Sequence, residues 1–332
     1  MYRPTRRLAA LSSLAALTLV TAGCSSSDGG SGSADFPSES IEFMVPSGAG
    51  GGWDTTARAM AGVMEGDDLV QESVKVFNVE GGGGATGLAQ LQNSNGDPYA
   101  WMMTGLVMLG ALEQADSGVT LEDSTPVAVM TSEAEAFVVP ADSEYDSIND
   151  VVDAYLDEPS SVTFGGGSAG GSDQMVVAQL MVEAGADAGE MNYVPYDGGG
   201  EAIAGLLNGD VEVGVSGVSE FEEQIASGDL RLLAISTAET QEVAGEDAPT
   251  LADAGFDVDF SNWRGVVAAP DVSDDDQAAI GDLLDELHGT DEWADELEKN
   301  GWTDFYKTGD EAQQFFADEA TRVSELYDEL GL

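Results

Sequence analysis

The stretch VPSGAGGGWDTTARAM, residues 45–60, connects a short apolar run to a helical pattern through a glycine-rich turn. The run that leads into it, IEFMV, has the length and apolar character of a buried strand. The following TTARAMAGVM carries apolar residues at helical spacing. A strand, a turn and a helix in this order are typical of a parallel α/β sheet. Such a turn directs main-chain N–H groups and the positive end of a helix dipole at one place, so it predicts an anion site.

The same unit recurs along the chain. Three more glycine-rich turns follow strand-like runs and precede helical patterns: EGGGGATG (80–87), GGGSAGGSD (165–173) and DGGGEA (197–202). One such turn is a weak indication, because glycine occurs in any tight turn. Four of them predict a row of N–H groups and helix N-termini facing one region, which stabilises carboxylates without a lysine.

The order of the runs predicts two lobes. Strand-like and helical runs alternate up to about residue 135, and a second series, in which PVAVM and AFVVP predict two strands, extends to LRLLAIS. SNWRGVVAAP predicts a returning strand, and no strand series accompanies the three helical patterns after it. We therefore predict an α/β, two-lobed periplasmic-binding-protein-like fold of type II, with residues 38–135 and 262–332 in lobe 1 and 136–261 in lobe 2. The two crossings would form a hinge, with the ligand cleft between the lobes.

The composition is strongly acidic. The chain has 332 residues, with 63 Asp and Glu against 10 Lys and Arg, a formal charge of −53 and 42% hydrophobic residues. This hydrophobic content is too high for a disordered acidic tail. Few cations lie beyond residue 23, so no basic patch for nucleic acid can form. Because molar salt reduces the screening length to about 3 Å, the acidic surface indicates a halophilic protein.

Residues 1–23 have the features of an export signal, since three arginines precede an apolar run that is too short to span a bilayer. Removing this segment takes away three cations and no acids, which changes the formal charge from −53 to −56. Cys24, the only cysteine, follows Thr-Ala-Gly, which resembles a lipobox. We predict a lipidated Cys24, a flexible tether over residues 24–37, and a lipid anchor on the outer face of the cytoplasmic membrane. Sec and Tat export both stay open.

Motifs for several other chemistries are incomplete. Residues 82–87 match GxGxxG, but the next strand ends in Thr104-Gly105, where a dinucleotide site would need an acid. The sequence has no glycine-lysine P-loop. One histidine and one cysteine are too few for a usual zinc site. We therefore expect no cofactor and no metal.

The segment GGSAG, residues 166–170, matches GxSxG between a strand and a helix, the pattern of a hydrolase nucleophile elbow. The base for Ser168 would have to be His288, the only histidine, at the end of a polar helix. A cation there also interacts favourably with the helix dipole, which is a structural explanation. A serine esterase that uses Ser168 stays an alternative function, as does a ligand sensor that signals to a membrane kinase.

Charged residues near the glycine turns allow more than one role. Asp54 and Asp173 stand where helices begin, where N-capping is the expected role. Arg58 could pair with a surface acid or add positive potential behind the first turn, and both readings stay open. Arg231 and Arg264 are predicted to form structural ion pairs.

Five segments resemble, in order, the extracytoplasmic solute-binding proteins of tripartite tricarboxylate transporters, the TctC or Bug family: VPSGAGGGWDTTARAM, VPYDGGGEAIAGLLNGDVEVGVSGVSEF, GDLRLLAIST, APTLADAGFDVDF and NWRGVVAAP. The resemblance runs from about residue 38 to the C-terminus. It implies a non-enzymatic protein that closes on a small carboxylate and delivers it to membrane permease subunits. The forms GGGWD and YDGGGEA resemble the citrate-type branch, which implies a di- or tricarboxylate such as citrate.

The resemblance also implies a site. The first glycine turn and the turn at residues 166–172 would face each other across the cleft and grip carboxylate oxygens, partly through water. Many relatives have Lys or Arg at the position of Asp197. With the neutral donors near strand ends added, the candidate ligand-binding residues are Ser47, Gly48, Ala49, Gly51, Gly52, Trp53, Thr104, Gly105, Gly166, Ser168, Ala169, Gly170, Ser172, Tyr196, Asp197 and Gly198. Valine in place of Gly51 or Gly170 is expected to abolish binding and to leave the fold largely intact.

Overall fold

The computed structural model describes residues 36–115, 118–196 and 199–330. The predicted export signal, Cys24 with most of its tether, Asp197 and Gly198 lie outside the described residues. The strands are β1 (Ile41–Val45), β2 (Val74–Asn78), β3 (Ala100–Gly105), β4 (Thr125–Pro140), β5 (Thr163–Gly166), β6 (Asn192–Pro195), β7 (Val213–Gly217), β8 (Leu230–Ile235), β9 (Glu242–Val243), β10 (Glu246–Asp247), β11 (Ser261–Ala268) and β12 (Thr303–Thr308).

The α-helices lie mainly between successive strands. They are α1 (Gly52–Gly66), α2 (Ala85–Leu91), α3 (Leu106–Ala115), α4 (Ile148–Asp157), α5 (Ser172–Glu183), α6 (Gly199–Asn208), α7 (Val218–Ser227), α8 (Asp274–His288), α9 (Asp291–Asn300) and α10 (Gly309–Leu330). None of the helices in the described ranges combines the length and the apolar character needed to cross a membrane.

The strands form one large sheet in the order β2-β1-β3-β11-β4-β7-β5-β6, and β12 and β8 also pair with β4. A short hairpin, β9 and β10, lies apart from it. β1 runs parallel to β2 and β3, and β5 runs parallel to β6 and β7. Parallel strands end at the same edge, so the turns that follow β1 and β2 lie side by side, as do those that follow β5 and β7.

β4 connects the two halves of the sheet. Its residues 125–134 pair with β11, and the same part also pairs with β12. Its residues 135–140 pair with β7 and β8. We call β1, β2, β3, β11, β12 and the first part of β4 the first strand group, and β5, β6, β7, β8 and the last part of β4 the second strand group. The division of the chain into lobes at residues 135 and 261 stays a prediction.

Large aromatic side chains fill the core of the first strand group. The Trp263 ring packs edge-on against Phe315 at 5.2 Å and against Phe316 at 5.3 Å, which fixes α10 on β11. Full burial of one such side chain contributes on the order of 2–3 kcal/mol. A separate cluster in the second strand group contains Leu206 and Phe221. The main core cluster also extends into the second strand group through Phe137 and Phe164, so the two strand groups share most of their apolar packing.

The structure differs from the sequence expectation at two strands. PVAVM and AFVVP, which predict two strands, belong to the single 16-residue strand β4. The polar residues between them do not form a turn, because Glu133 and Glu135 are buried inside the sheet. β12 lies between α9 and α10, against the expectation that no strand accompanies those helices. None of its residues is fully buried, so it lacks the apolar run that identifies a strand.

Candidate functional site

A cavity of about 990 Å³ lies between turns of the two strand groups. The first strand group lines it with the turn after β1, the turn after β2 and two residues of β11. The second strand group lines it with the turn after β5, the start of α6 and the junction of β7 with α7. The cavity therefore lies where ligands bind in open α/β sheets, at the carboxyl ends of parallel strands.

The turn after β1 presents main-chain N–H groups to this cavity. Gly51 is the N-cap of α1 and has an extended conformation, with φ −78° and ψ 173°. The first helical hydrogen bond runs from the Thr55 N–H to the Gly51 carbonyl at 2.9 Å. The N–H groups of residues 52–54 precede it and have no helical acceptor. The positive end of α1 therefore faces the cavity, which is favourable for a carboxylate.

Asp54 supports the first turn from behind. Its carboxylate accepts hydrogen bonds of 2.9 Å from the Gly50 N–H, from Arg58 and from Asn78. Burial alone would raise the pKa of Asp54, but these hydrogen bonds and the charge of Arg58 outweigh burial and lower the pKa. The expected N-cap role of Asp54 is wrong, because Gly51 occupies that position without a side-chain cap.

The turn after β5 has fewer N–H groups to offer. Three of them are already used within the protein: Gly167 donates to Asp173 Oδ2 at 2.7 Å, Gly170 to Gln174 Oε1 at 2.8 Å, and Gly171 to the Ser168 carbonyl at 2.9 Å. The N-cap of α5 is Gly171, so the capping role expected for Asp173 is also wrong. The two glycine turns are therefore unequal, and the first keeps more donors for a ligand.

A buried ion pair between Arg264 and Glu133 lies at the floor of the cavity, with side chains 5% and 0% exposed. Glu133 also accepts hydrogen bonds from the Ser219 N–H at 2.8 Å and from the Ser219 hydroxyl at 2.5 Å, so it joins β4 to α7. The Arg264 guanidinium packs against Gly52, where an added Cβ would lie 2.6 Å from Nη2. The structural ion pair expected for Arg264 is confirmed, and its charge lies directly behind the first turn.

Three carboxyl groups lie together near the second strand group's side of the cavity. Burial, and then the charge of Asp173, raises the pKa of Glu135 well above its ordinary value. Burial also raises the pKa of Asp173, although the Gly167 N–H opposes this change. Burial and the charges of Asp173 and Glu133 raise the pKa of Glu220 to about 7, against the lowering effect of Arg264. The pKa values of all three carboxyl groups are therefore raised, and that of Glu220 lies near neutral pH.

The raised pKa of Glu220 predicts a pH-dependent stability. The folded protein holds this proton up to about pH 7, whereas the unfolded chain releases it near pH 4.5. The Glu220 contribution to folding is therefore present below pH 4.5 and is lost as the pH rises to 7. Glu220→Gln should raise the free energy of unfolding at pH 8 by roughly 1–3 kcal/mol and change it little near pH 4.5.

Thermal denaturation of both proteins at the two pH values measures this difference. Glu222→Gln, on the exposed side of α7, is the matched control and should change the melting temperature little at either pH. A stabilisation by Glu220→Gln that is the same at both pH values would show that the carboxyl ionises with its ordinary pKa.

The cavity brings together eight of the predicted ligand-binding residues from both glycine turns: Ser47, Gly48, Ala49, Gly51, Gly52, Trp53, Ser168 and Ser172. Ala169 and Tyr196 line a neighbouring cavity of about 360 Å³, which Ser168 also borders. The structure thus places the first glycine turn in the large cavity and divides the second turn between the two cavities.

Thr104 and Gly105 lie behind the large cavity and line neither of the two cavities. The Thr104 side chain is fully buried, and its hydroxyl donates to Met108 Sδ at 3.4 Å. An added Cβ on Gly105 would lie 2.5 Å from the Trp263 carbonyl, so glycine permits the close approach of β3 and β11. The positions of Thr104 and Gly105 indicate that these residues pack in the core and do not contact a ligand.

Gly166 and Gly170 also line neither cavity. An added Cβ on Gly166 would lie 2.6 Å from the Tyr193 hydroxyl. Gly170 has a φ of +74°, and a Cβ there would lie 2.9 Å from the Tyr327 hydroxyl. Valine at Gly170 would strain the backbone and clash with α10. The expectation that Gly170→Val leaves the fold largely intact is therefore wrong.

Several lining residues are absent from the candidates that the sequence identifies. Asn262 and Arg264 come from the first half of β11, and Ser216 and Glu220 flank the junction of β7 and α7. The segment GVSGVSEF could have identified Ser216 and Glu220, because it also has a strand-like run, a glycine and a helical pattern in this order. Its single glycine at the junction makes this signal weaker than in the four glycine-rich turns.

The structure does not bring together the serine and the histidine of the esterase alternative. Ser168 borders both cavities, whereas His288 lines neither. His288 Nε2 lies 3.1 Å from Asp304, and its ring stacks on Tyr306 at 4.1 Å. Because His288 is the only histidine of the chain, Ser168 has no imidazole base.

Each of the seven cations beyond residue 23 pairs with a carboxylate. The pairs are Arg58 with Asp54, Lys75 with Glu42, Arg231 with Asp146, Arg264 with Glu133, Lys299 with Glu296, Lys307 with Glu311, and Arg322 with Glu319. Within the described ranges, no group of three or more His, Cys, Asp and Glu is arranged to hold a metal ion. The donors that the cavity offers to an anion are therefore main-chain N–H groups, hydroxyls and Arg264 Nη1, which is buried without a hydrogen-bond partner among the described residues.

Two α/β halves that share one strand and enclose a donor-lined cavity define the two-lobed fold of periplasmic solute-binding proteins. The chain belongs to the TctC family, because the family model for the tripartite tricarboxylate transporter family receptor matches residues 57–332. This match confirms the resemblance found in the sequence.

Two relatives match most of the chain. Protein BugT of Bordetella pertussis is 25% identical over 305 residues, which are 89% of this chain and 90% of that protein. An Agrobacterium vitis protein encoded in the TAR-I ttuE-ttuC' intergenic region is 27% identical over 239 residues, 71% of this chain and 67% of that protein.

Solved structures with the same fold include the following three, which have low sequence identity to this chain. A TctC solute-binding protein from Polaromonas is 22% identical with a TM-score of 0.69, and the match covers 89% of this chain and 100% of that one. MatC from Rhodopseudomonas palustris, with bound malate, is 18% identical with a TM-score of 0.74 over 88% and 99% of the two chains. An R. palustris protein with adipate is 19% identical with a TM-score of 0.77 over 90% and 99%.

Proposed function

We propose that this protein captures a small di- or tricarboxylate, with citrate as the first candidate, and delivers it to the membrane subunits of a tripartite tricarboxylate transporter. The observation that carries this proposal is the first glycine turn, whose N–H groups and helix N-terminus face a cavity of about 990 Å³ with Arg264 behind them. The two strand groups would act as lobes that close on the ligand. Capture in this way requires no chemical reaction.

The relatives support a small carboxylate. One structural neighbour holds malate and another holds adipate, so two proteins of this fold accept dicarboxylates. We assign the contacts to Ser47, Gly48, Ala49 and Gly51–Trp53 on one side, and to Ser168 and Ser172 on the other. A third carboxylate or a hydroxyl, as in citrate, would fit in the remaining volume of the cavity.

A thermal-shift screen of organic acids tests the proposal. In molar potassium chloride, a ligand at a hundred times its Kd adds about 2.7 kcal/mol to the free energy of unfolding, which raises the melting temperature by roughly 4–8 °C. We expect this shift with citrate or a related di- or tricarboxylate and no shift with uncharged alcohols of the same size. No shift with any carboxylate, in chloride or in a second salt, would contradict the proposal.

We also propose that the protein is extracytoplasmic and held at the membrane by a lipid on Cys24. Three features support this: the three arginines near residue 1, the short apolar run after them, and the small residues before Cys24. Cys24→Ser should move the protein from the membrane fraction to the soluble extracytoplasmic fraction. An unchanged membrane fraction in this variant would rule out the anchor.

A further inference from the structure

The large cavity has a donor-rich side and an acid-rich side. The first strand group contributes residues 47–53, with Arg264 behind them, and one acid, Glu80, whose Oε1 would lie 3.5 Å from an added Cβ on Gly48. The second strand group contributes the carboxyl groups of Asp173 and Glu220, and Glu201 lines the cavity from α6. A ligand with carboxylates at both ends therefore meets N–H groups at one end and acids at the other.

This arrangement creates an electrostatic conflict for a dicarboxylate. Like charges within about 4–6 Å disfavour ionisation of both groups. Arg264 offsets this conflict only in part, because Glu133 neutralises its charge in a buried pair, although its Nη1 has no hydrogen-bond partner among the described residues. A proton on the distal carboxylate of the ligand or on a carboxyl group of the wall would remove this conflict.

The three clustered carboxyls differ in what they can offer a ligand. Glu135 is fully buried behind the wall, lines no cavity, and neither of its oxygens has a hydrogen-bond partner among the described residues. Asp173 is committed to the second glycine turn through the Gly167 N–H at 2.7 Å and the Ser172 hydroxyl at 2.9 Å. Glu220 lines the cavity and does not support either glycine turn. Its carboxyl group is therefore the one whose O–H can point toward the ligand.

We propose that Glu220 binds the distal carboxylate of the ligand as a neutral carboxylic acid, so that the protein captures its ligand together with one proton. This proposal rests on the proposed function. The proton moves from solvent to a carboxylate oxygen of Glu220, and the resulting O–H donates a hydrogen bond to the ligand. No covalent bond of the ligand is formed or broken.

The charged groups around Glu220 favour this protonation. Asp173 on α5, Glu133 and Glu135 on β4 and Glu201 on α6 are acids, and Arg264 on β11 is the one cation near it among the described residues. Before ligand arrives, burial, and then the charges of Asp173 and Glu133, raise the pKa of Glu220 to about 7 against the lowering effect of Arg264. The negative charge of a bound ligand raises the pKa further, so protonation near neutral pH costs little.

Isothermal titration calorimetry between about pH 6.5 and 8.5 tests this proposal, with malate and citrate as probes. Titrations in two buffers with different ionisation enthalpies count the protons taken up on binding. The wild-type protein should take up close to one proton at pH 8, and its Kd should rise by up to about tenfold per pH unit above pH 7. Molar salt keeps the long-range charge repulsion equal across the series.

Two variants assign the proton to Glu220. Glu220→Gln keeps a hydrogen-bond donor without a charge, so its Kd should be independent of pH and lower than that of the wild type at pH 8.5. Glu222→Gln, on the exposed face of α7, should keep the wild-type slope. A slope that persists in Glu220→Gln would overturn the assignment of the proton to Glu220.

Other outcomes separate this proposal from the proposed function. Carboxylate binding that is independent of pH, or that tightens as the pH rises, would overturn the proton uptake and leave the function standing. Tightening with pH would indicate that ionised Glu220 accepts a hydrogen bond from a hydroxyl or ammonium group. Failure of every carboxylate to bind at any pH would overturn both.

Discussion

Gly51→Val is expected to weaken binding of the carboxylate ligand by at least about 100-fold, with the fold retained. An added Cβ at Gly51 meets only the Gly48 carbonyl, at 3.8 Å, and the extended backbone there accommodates any residue. The valine methyl groups would occupy the cavity in front of the α1 N-terminus. They would keep a carboxylate out of hydrogen-bonding distance of the N–H groups, each of which contributes roughly 1.5–3 kcal/mol to a charged acceptor.

Calorimetry and thermal denaturation together measure this effect. Gly62→Val is the matched control, because Gly62 lies on the exposed face of the same helix with no atom within 4 Å of its added Cβ. Both variants should keep melting temperatures within a few degrees of the wild type, and only Gly51→Val should lose affinity. Undiminished affinity in Gly51→Val would place the ligand elsewhere.

Arg264→Met is expected to lower stability more than the loss of a surface cation such as Lys75. The variant leaves Glu133 buried without its cation, although the Ser219 N–H and hydroxyl still contact it. Removal of one partner of a buried pair costs about 3–5 kcal/mol, which corresponds to a fall of roughly 5–10 °C in melting temperature. The loss of charge behind the first glycine turn should also weaken carboxylate binding.

Lys75→Met provides the comparison for Arg264→Met. Lys75 pairs with Glu42 at 2.8 Å on the surface, with side chains 57% and 51% exposed, so its removal should cost less than about 1 kcal/mol. Differential scanning calorimetry in molar salt measures both variants. Equal changes in melting temperature would mean that the buried pair contributes no more than a surface one.

The sequence predicts the first glycine turn well because its signal is local. A strand, a run of glycines and a helix occur within residues 41–66, and this order alone places the helix N-terminus at the strand end. The residues that line the cavity from this turn were therefore identifiable from their position in the sequence. The same reasoning identified Ser168 and Ser172 in the second turn.

The acid-rich side of the cavity could not be predicted in this way. Glu133 and Glu135 interrupt an apolar pattern, which suggests a turn, but long-range pairing with β11 and β7 buries both inside one strand. Glu220 looks like any surface acid on an acidic helix until the packing of β4 and α5 surrounds it. Contacts between distant segments determine these features, and no local pattern encodes them.

A crystal structure of the protein with bound citrate tests the central claim most directly. We expect one ligand carboxylate within about 2.7–3.2 Å of the N–H groups of the Gly51–Trp53 segment, with the far end of the ligand toward Glu220. Citrate bound elsewhere, for example beside Tyr196 in the smaller cavity, with the N–H groups of the first glycine turn bonded only to protein or water, would contradict it.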